Sequence, residues 1–281
     1  GCNYRCTYCN IWMARGRSRS RPVEDVLTEV LQLESEGYGE VVLTGIHIGL
    51  YGRDIEGNKN LNYLLKKLLL STSKIRIRLG SLEVKEIDDE TVDLLCHERA
   101  CRHLHIPLQS GDDEILKRMG RNYTSGDFFS RVEDLKKKIP GIAIGADLIV
   151  GFPGETDESF NVTKRRISES EISYLHVFPF SKRPNTKASE MRGQVSESVK
   201  KKRAAEMREV GRGLKERFLN SQRGKIIGVL IEESLEDTYI KGKSDNYINV
   251  YMKTKGFEQG KIVNVKIDKA FRDGVLGNIL H

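Results

Sequence analysis

Hydrophobic and polar positions follow one another along this chain with a period that changes abruptly, and each change marks the border of an element. Over residues 20–37, apolar Val23, Val26, Leu27, Val30 and Leu31 recur at helical spacing, with Pro22 near the first turn and Gly37 as a stop. Val41, Val42 and Leu43 then make a short apolar run of strand type. The same reading predicts helices over 61–70, 86–97, 113–119, 125–138 and 155–170, and strands over 75–79, 103–106, 142–150 and 174–178. Strands alternating with helices predict parallel β/α units. Five strands are visible and one more is expected ahead of Gly1, which makes an α/β partial (β/α)6 barrel.

Past Phe180 the pattern changes. Residues 181–194 carry Pro184 and the small polar residues of a loop, and 196–220 reads as a long, highly charged helix. From Ser221 onward only short strands are expected, over 226–231, 239–243, 247–252 and 262–267, with Gly and Asp/Asn turns between them. An all-β tail of roughly 60 residues suits a small barrel of the kind that binds nucleic acid. Three parts follow: a barrel over 1–195, a basic linker helix over 196–220 and a β domain over 221–281.

Composition narrows the class. With 31% charged and 38% hydrophobic residues in 281, the chain reads as globular and soluble. No apolar run approaches the roughly 18 residues that cross a bilayer, and no hydrophobic stretch with a cleavage site opens the chain. A cytoplasmic protein is expected, with no membrane partner. The net charge of +7 is uneven: residues 1–23 carry +5, from five Arg and no acid, and residues 197–220 carry +4. The larger stretch over 24–196 is mildly acidic. Two localised basic segments suit a polyanion partner.

The five cysteines are odd in number, and three of them, Cys2, Cys6 and Cys9, form C-x3-C-x2-C within one loop. That is no disulfide framework; in a reducing compartment it points to metal or redox chemistry. Three readings stand: incidental thiols, zinc, or a four-iron cluster. Structural zinc wants a fourth protein ligand, and Cys96 and Cys101 lie far along the chain. A four-iron cluster on three thiolates leaves one iron open for a small molecule. Cys96 and Cys101 read as packed thiols. His47, His97, His103 and His105 show no catalytic arrangement in the sequence.

The cysteine loop resembles the signature of radical S-adenosylmethionine enzymes, in which Tyr8, directly before the third cysteine, is the usual aromatic. Further motifs narrow the resemblance to the methylthiotransferases: ARGRSRSRP at 14–22, LTGIHIG at 43–49, HIPLQSG at 105–111, MGR at 119–121 and DLIVGFPGET at 147–156. The LTGIHIG and SLE wording is most similar to the branch that modifies threonylcarbamoyladenosine beside the tRNA anticodon. The tail is similar to the appended RNA-binding TRAM domain of that family.

The resemblance implies a [4Fe-4S] cluster on Cys2, Cys6 and Cys9 that passes one electron to S-adenosylmethionine. The deoxyadenosyl radical so formed would take hydrogen from adenine C2, where sulfur and its methyl group are then added. Tyr8, Thr44, Gly45, Ser81, Gln109 and Asp147 are expected around S-adenosylmethionine, since ligand sites of β/α barrels lie at the C-terminal ends of strands. Asp147 sits in an apolar strand, where an unpaired carboxylate is costly, so a partner or ligand is expected for it. Arg15, Arg17, Arg19 and Arg21 alternate beside the loop; extended, they would share one side and contact phosphates, with Arg183 a further substrate contact. Lys200, Lys201, Lys202 and Arg203 read as a solvated face. The partners implied are tRNA and an electron donor. A second [4Fe-4S] cluster is expected only in the full-length protein, on an N-terminal domain outside this chain; this part alone is expected at most to cleave S-adenosylmethionine. Siblings act on isopentenyladenosine in tRNA or on a ribosomal-protein Asp, and a zinc-holding RNA-binding module is the reading without catalysis.

Overall fold

The computed structural model describes residues 1–57, 59–235, 239–253 and 258–280. A one-turn helix, α1 (Ile11–Arg15), follows the cysteine loop, and α2 (Val23–Ser35) leads into β1 (Glu40–Leu43). Then come α3 (Leu61–Ser71), β2 (Arg76–Leu79), α4 (Asp89–Leu95), β3 (His103–His105), α5 (Asp113–Met119) and α6 (Ser125–Lys138). The large part closes with β4 (Ala143–Val150), α7 (Asp157–Glu169), β5 (Tyr174–Pro179), the short α8 (Lys187–Glu190) and the long α9 (Glu197–Asn220). Local chemistry starts these helices. Asn60, Asp88, Asp112, Thr124, Thr156 and Ser196 each accept a hydrogen bond from the backbone N–H three residues on. The helix expected over 86–97 is shorter because Asp88 caps it, and a 3-10 turn at Val84–Glu86 precedes it.

β1 and β2 pair in parallel, as do β3, β4 and β5, and single bridges Ile77–Ala100 and Ser81–His105 join the two groups into one curved wall. Its outer face carries Ile77, Leu79, Leu104, Ile144 and Leu148 into a core completed by Leu65, Leu68, Phe128 and Val132 of the helices. Alternation leaves the inner face polar: Glu40, Arg76, Arg78, His103, His105, Asp147, Tyr174 and His176. Gly145 lies opposite Tyr174, and a Cβ there would meet the Tyr174 ring at 2.1 Å, so glycine lets that ring lean across the wall.

α9 lies on β5 and buries Ala204, Met207 and Leu214 in the main core. Lys200 and Arg203, expected in a solvated face, are 3% and 5% exposed. Arg203 donates to Glu155 and Asp157 at 2.7 Å each, so these residues belong to the inward stripe of the helix. The tail is a closed barrel of five strands: β6 (Ile226–Leu235), β7 (Tyr239–Ser244), β8 (Asn249–Met252), β9 (Ile262–Phe271) and β10 (Gly274–Ile279). Only four were expected. The fifth, GVLGNI, lacks clean alternation, yet it closes the barrel by pairing antiparallel with β9 and parallel with β8.

A buried ion cluster fastens the two barrels together. Glu40 accepts from Arg76 and from Arg78, the latter at 2.7 and 2.9 Å, and all three side chains are at most 8% exposed. The remaining guanidinium donors reach the small barrel: Arg76 to the carbonyls of Gly228 and Lys243, and Arg78 to those of Ser244 and Asp245. Arg102 adds a more exposed pair with Asp245 at 2.6 Å. Glu40→Ala leaves two buried cations without their carboxylate, and a loss of about 3–5 kcal/mol in unfolding free energy is expected from urea denaturation. Arg102→Ala, at the rim, should cost about 1 kcal/mol or less. Equal effects of the two variants would refute the central place of Glu40.

Candidate functional site

The cysteine loop is held from both sides. Cys2 N–H donates to the Gly16 carbonyl (3.0 Å), Thr7 N–H to Met119 (2.9 Å), and Ala188 N–H to Thr7 (2.9 Å). The sulfurs sit in unlike surroundings. Cys2 Sγ lies 3.4 Å from His47 Nδ1, whose Nε2 is 2.7 Å from the buried Glu86 carboxylate. Burial raises the Cys2 thiol above its ordinary pKa. Cys6 Sγ accepts from the Arg121 guanidinium at 3.2 Å, and Arg121 also reaches the Tyr8 hydroxyl at 3.5 Å and pairs with Glu83. Arg121 puts a fixed positive charge where a thiolate-bound centre needs one.

The donor set fits an iron–sulfur cluster better than zinc. Among the described residues, the group of Cys, His, Asp and Glu whose ligand atoms all fall within 4.8 Å of one another is His105, Asp147 and His176. The three thiols are spread more widely. Tetrahedral zinc would draw thiolates to within about 3.8 Å of one another, whereas a cluster with several metals spans a wider set.

Four of the other expected residues follow the C-terminal ends of strands. Thr44 and Gly45 follow β1, Ser81 follows β2, and all three are exposed. Gln109 follows β3 in the left-handed region (φ 64), its N–H donating to the Asp147 carbonyl at 2.8 Å. Tyr8 packs edge-on against Phe152. Asp147 lies deeper, midway along β4. Arg17, Arg19 and Arg21 are exposed and alternate with the half-buried Ser18 and Ser20, as expected. Arg15 does not join them: it ends α1, and Gly16 (φ 68) turns the chain behind it. Arg183 is exposed in the loop before α8, and Arg21 pairs with Glu29. Cys101 is buried, and burial pushes its thiol up to about 12; Cys96, expected to be packed, is exposed.

The sequence reading missed the histidines. Asp147 Oδ1 is 2.9 Å from His105 Nε2 and 3.4 Å from His176 Nδ1, so the expected partner of the carboxylate is imidazole. Tyr174 Oη links His105 Nδ1 (3.4 Å) to His103 Nε2 (2.7 Å). Five side chains thus form one polar row along the inner wall. Its sequence signal was there: His103 with His105, and Tyr174 with His176, stand two apart on strands and therefore share a face. The row borders a cavity of about 520 Å³ that also reaches Arg78, Ser81 and Tyr247.

Comparison with known proteins gives the family. Residues 1–167 match the profile of the radical SAM superfamily. The chain is 42% identical over 276 residues to threonylcarbamoyladenosine tRNA methylthiotransferase MtaB of Bacillus subtilis (strain 168), covering 96% of this chain and 61% of that one. It is 38% identical over 283 residues to tRNA-2-methylthio-N(6)-dimethylallyladenosine synthase of Thermodesulfovibrio yellowstonii, covering 100% of this chain and 64% of that one. The chain thus spans about three fifths of the length of these relatives. Coproporphyrinogen III oxidase (HemN) from Escherichia coli is similar in fold, with a TM-score of 0.54 at 16% identity over 96% of this chain and 65% of that one.

His103 makes the polar row sensitive to acid. Burial lowers its imidazole to about 3, and the Arg78 charge adds to the shift. The folded state keeps His103 neutral, while the unfolded imidazole takes up a proton below about pH 6.5. The contribution is complete above that pH and is lost as pH falls toward 3. Between about pH 6 and pH 4, the wild type should lose about 2 kcal/mol more unfolding free energy than His103→Gln, read by urea denaturation. Parallel losses would mean that His103 takes up its proton in the folded state.

Proposed function

The chain belongs to the radical SAM superfamily, and on that premise we propose that it is the catalytic barrel and RNA-binding tail of a tRNA methylthiotransferase acting at C2 of N6-threonylcarbamoyladenosine. Cys2, Cys6 and Cys9 would hold the [4Fe-4S] cluster, which when bound supplies the electron that cleaves S-adenosylmethionine. Arg121 balances charge at Cys6, and the His47–Glu86 pair orients the surroundings of Cys2. Tyr8, Thr44, Gly45, Ser81 and Gln109 would contact S-adenosylmethionine, four of them from the ends of β1, β2 and β3. Arg17, Arg19 and Arg183, all exposed, would contact RNA phosphates. The whole protein would add a second cluster as the source of sulfur and take its electrons from a partner reductant, in the cytoplasm. No helix among the described residues is long and apolar enough to cross a membrane.

The observation that carries the choice of substrate is the polar row His103–Tyr174–His105–Asp147–His176. A threonylcarbamoyl group brings donors and acceptors of its own, so it can enter without stripping the row of partners. An apolar dimethylallyl group would desolvate those groups and return nothing, and sites built for hydrogen bonding reject such ligands strongly. The dimethylallyladenosine relative at 38% identity makes that substrate the second reading.

Nucleoside analysis of tRNA from cells lacking the protein should show loss of 2-methylthio-N6-threonylcarbamoyladenosine with the isopentenyl series intact; the reverse pattern would establish the second reading. Anaerobically reconstituted protein should be brown, and Cys2→Ala, Cys6→Ala and Cys9→Ala should each lose the colour together with S-adenosylmethionine cleavage. A colourless wild type holding one zinc would replace the enzyme with an RNA-binding module.

A further inference from the structure

A second cavity, of about 420 Å³, opens where β5, α9 and the small barrel meet. Arg208, Arg212 and Lys215 of α9 line it, spaced four and three apart and so on one helical face. Lys243 and Tyr247 line it from the small barrel, and Asp273 is the carboxylate among its lining residues. Asp273 is itself engaged, by Asn249 and by the Tyr251 hydroxyl. Arg212 pairs with Glu209, but both are more than 60% exposed, where such a pair is weak and easily exchanged. The cleft therefore presents a line of three exposed cations along one wall.

Tyr247 gives the second observation. It stands at the tip of the β7–β8 turn with φ 66, a conformation in which a bulky residue is strained and glycine or asparagine would sit without cost. Its ring stacks on His103 at 4.3 Å, has the Lys243 ammonium 4.6 Å from its centre, and is still 46% exposed. Tyr174, His176, Lys243 and Tyr247 line both this cleft and the cavity of the polar row, so one space leads into the other.

We propose that this cleft is a binding site for single-stranded RNA flanking the target base, with backbone phosphates on Arg208, Arg212 and Lys215 and a neighbouring base against Tyr247. The proposal rests on the reading of the substrate as RNA. Cations in helical register with an exposed aromatic beside them are what a sequence-tolerant single-strand site requires. The cleft joins the chamber from its open side, along β5, rather than from the rim that carries Thr44, Gly45 and Ser81.

The test uses the full-length protein and a fluorescent anticodon stem-loop carrying threonylcarbamoyladenosine. The Arg208→Ala, Arg212→Ala, Lys215→Ala triple variant should bind at least about tenfold more weakly at moderate salt. The slope of log affinity against log salt should fall by about 2–3, one unit or slightly less per lost phosphate contact. Lys66→Ala with Lys67→Ala, on the exposed face of α3, controls for net charge and should keep the wild-type slope. Tyr247→Gly relieves the backbone strain while removing the ring, so weaker binding with unchanged slope is expected, with thermal unfolding measured alongside to show that the variant is folded. A triple variant with wild-type affinity and slope, or a control that loses as much, overturns the phosphate site, and an unchanged Tyr247→Gly overturns the stacking contact. Competition by inorganic phosphate as effective as the stem-loop would reduce the cleft to an anion site and overturn the proposal. A wild type that binds no stem-loop removes the RNA reading itself, which separates the two failures.

Discussion

Glu40 and the two arginines that grip it hold the inner wall and the small barrel in one frame. Arg76 and Arg78 stand two apart on β2, so both point inward, and a half-open barrel offers them neither bulk water nor an apolar slot. One carboxylate cannot neutralise two guanidinium groups. Burial alone would raise the Glu40 pKa, but the hydrogen bonds and charges of Arg78 and Arg76 hold it below the usual range. Four backbone carbonyls of the small barrel take the remaining donors. Such clusters stabilise little against an apolar replacement, but they fix orientation, because each donor has one acceptor at one place. Here the fixed quantity is the position of the β7–β8 turn over the base of the wall.

The polar row depends on that position. His103 stays neutral because water is kept away, with the charge of Arg78 adding to the effect, and Tyr247 of the small barrel forms the cover. The Tyr174 hydroxyl bridges His103 and His105, and His105 in turn meets Asp147. At the other end of the wall the cysteine loop hangs on α5, α8 and Arg121, with no bond to the small barrel among the described residues. The large part thus has two separate supports: the loop that would carry the redox centre, and the turn that supplies aromatic surface to the cavity of the polar row.

Much of this was legible in the chain. The β/α alternation was readable because the helices open on Asn, Asp, Ser or Thr caps and the strands are short apolar runs between turns, and both signals are local. The cysteine spacing was readable because its chemistry requires residues close in sequence. What escaped was set by tertiary contact. Lys200 and Arg203 looked solvated because composition cannot tell which face of a charged helix turns inward; the partner carboxylates of Arg203, Glu155 and Asp157, lie more than forty residues away. Arg15 fell out of the alternating run because a one-turn helix ended by Gly16 is too short to show a period. β10 was passed over because its alternation is broken by glycines, and only closure of the barrel gives it a partner on each side. The histidine row needed three strands in register before any pair of its members could meet.

The joint between the barrels also bears on how the proposed RNA substrate would be handled. A small barrel on a flexible tether could add affinity, but it could not decide where a base sits relative to the cysteine loop, because its own position would vary by more than the size of the base. In this chain the left-handed backbone of Tyr247 is held by the turn bonds of Ser244 and Ile248 within the small barrel, while its ring is held by His103 of the large one. Neither half alone would keep that side chain in place. A strained residue persists only where its surroundings over-determine it, and those surroundings come from both barrels at once. The strain is therefore a property of the assembled pair, and the chamber exists as a defined space only while Glu40 keeps the two halves in register.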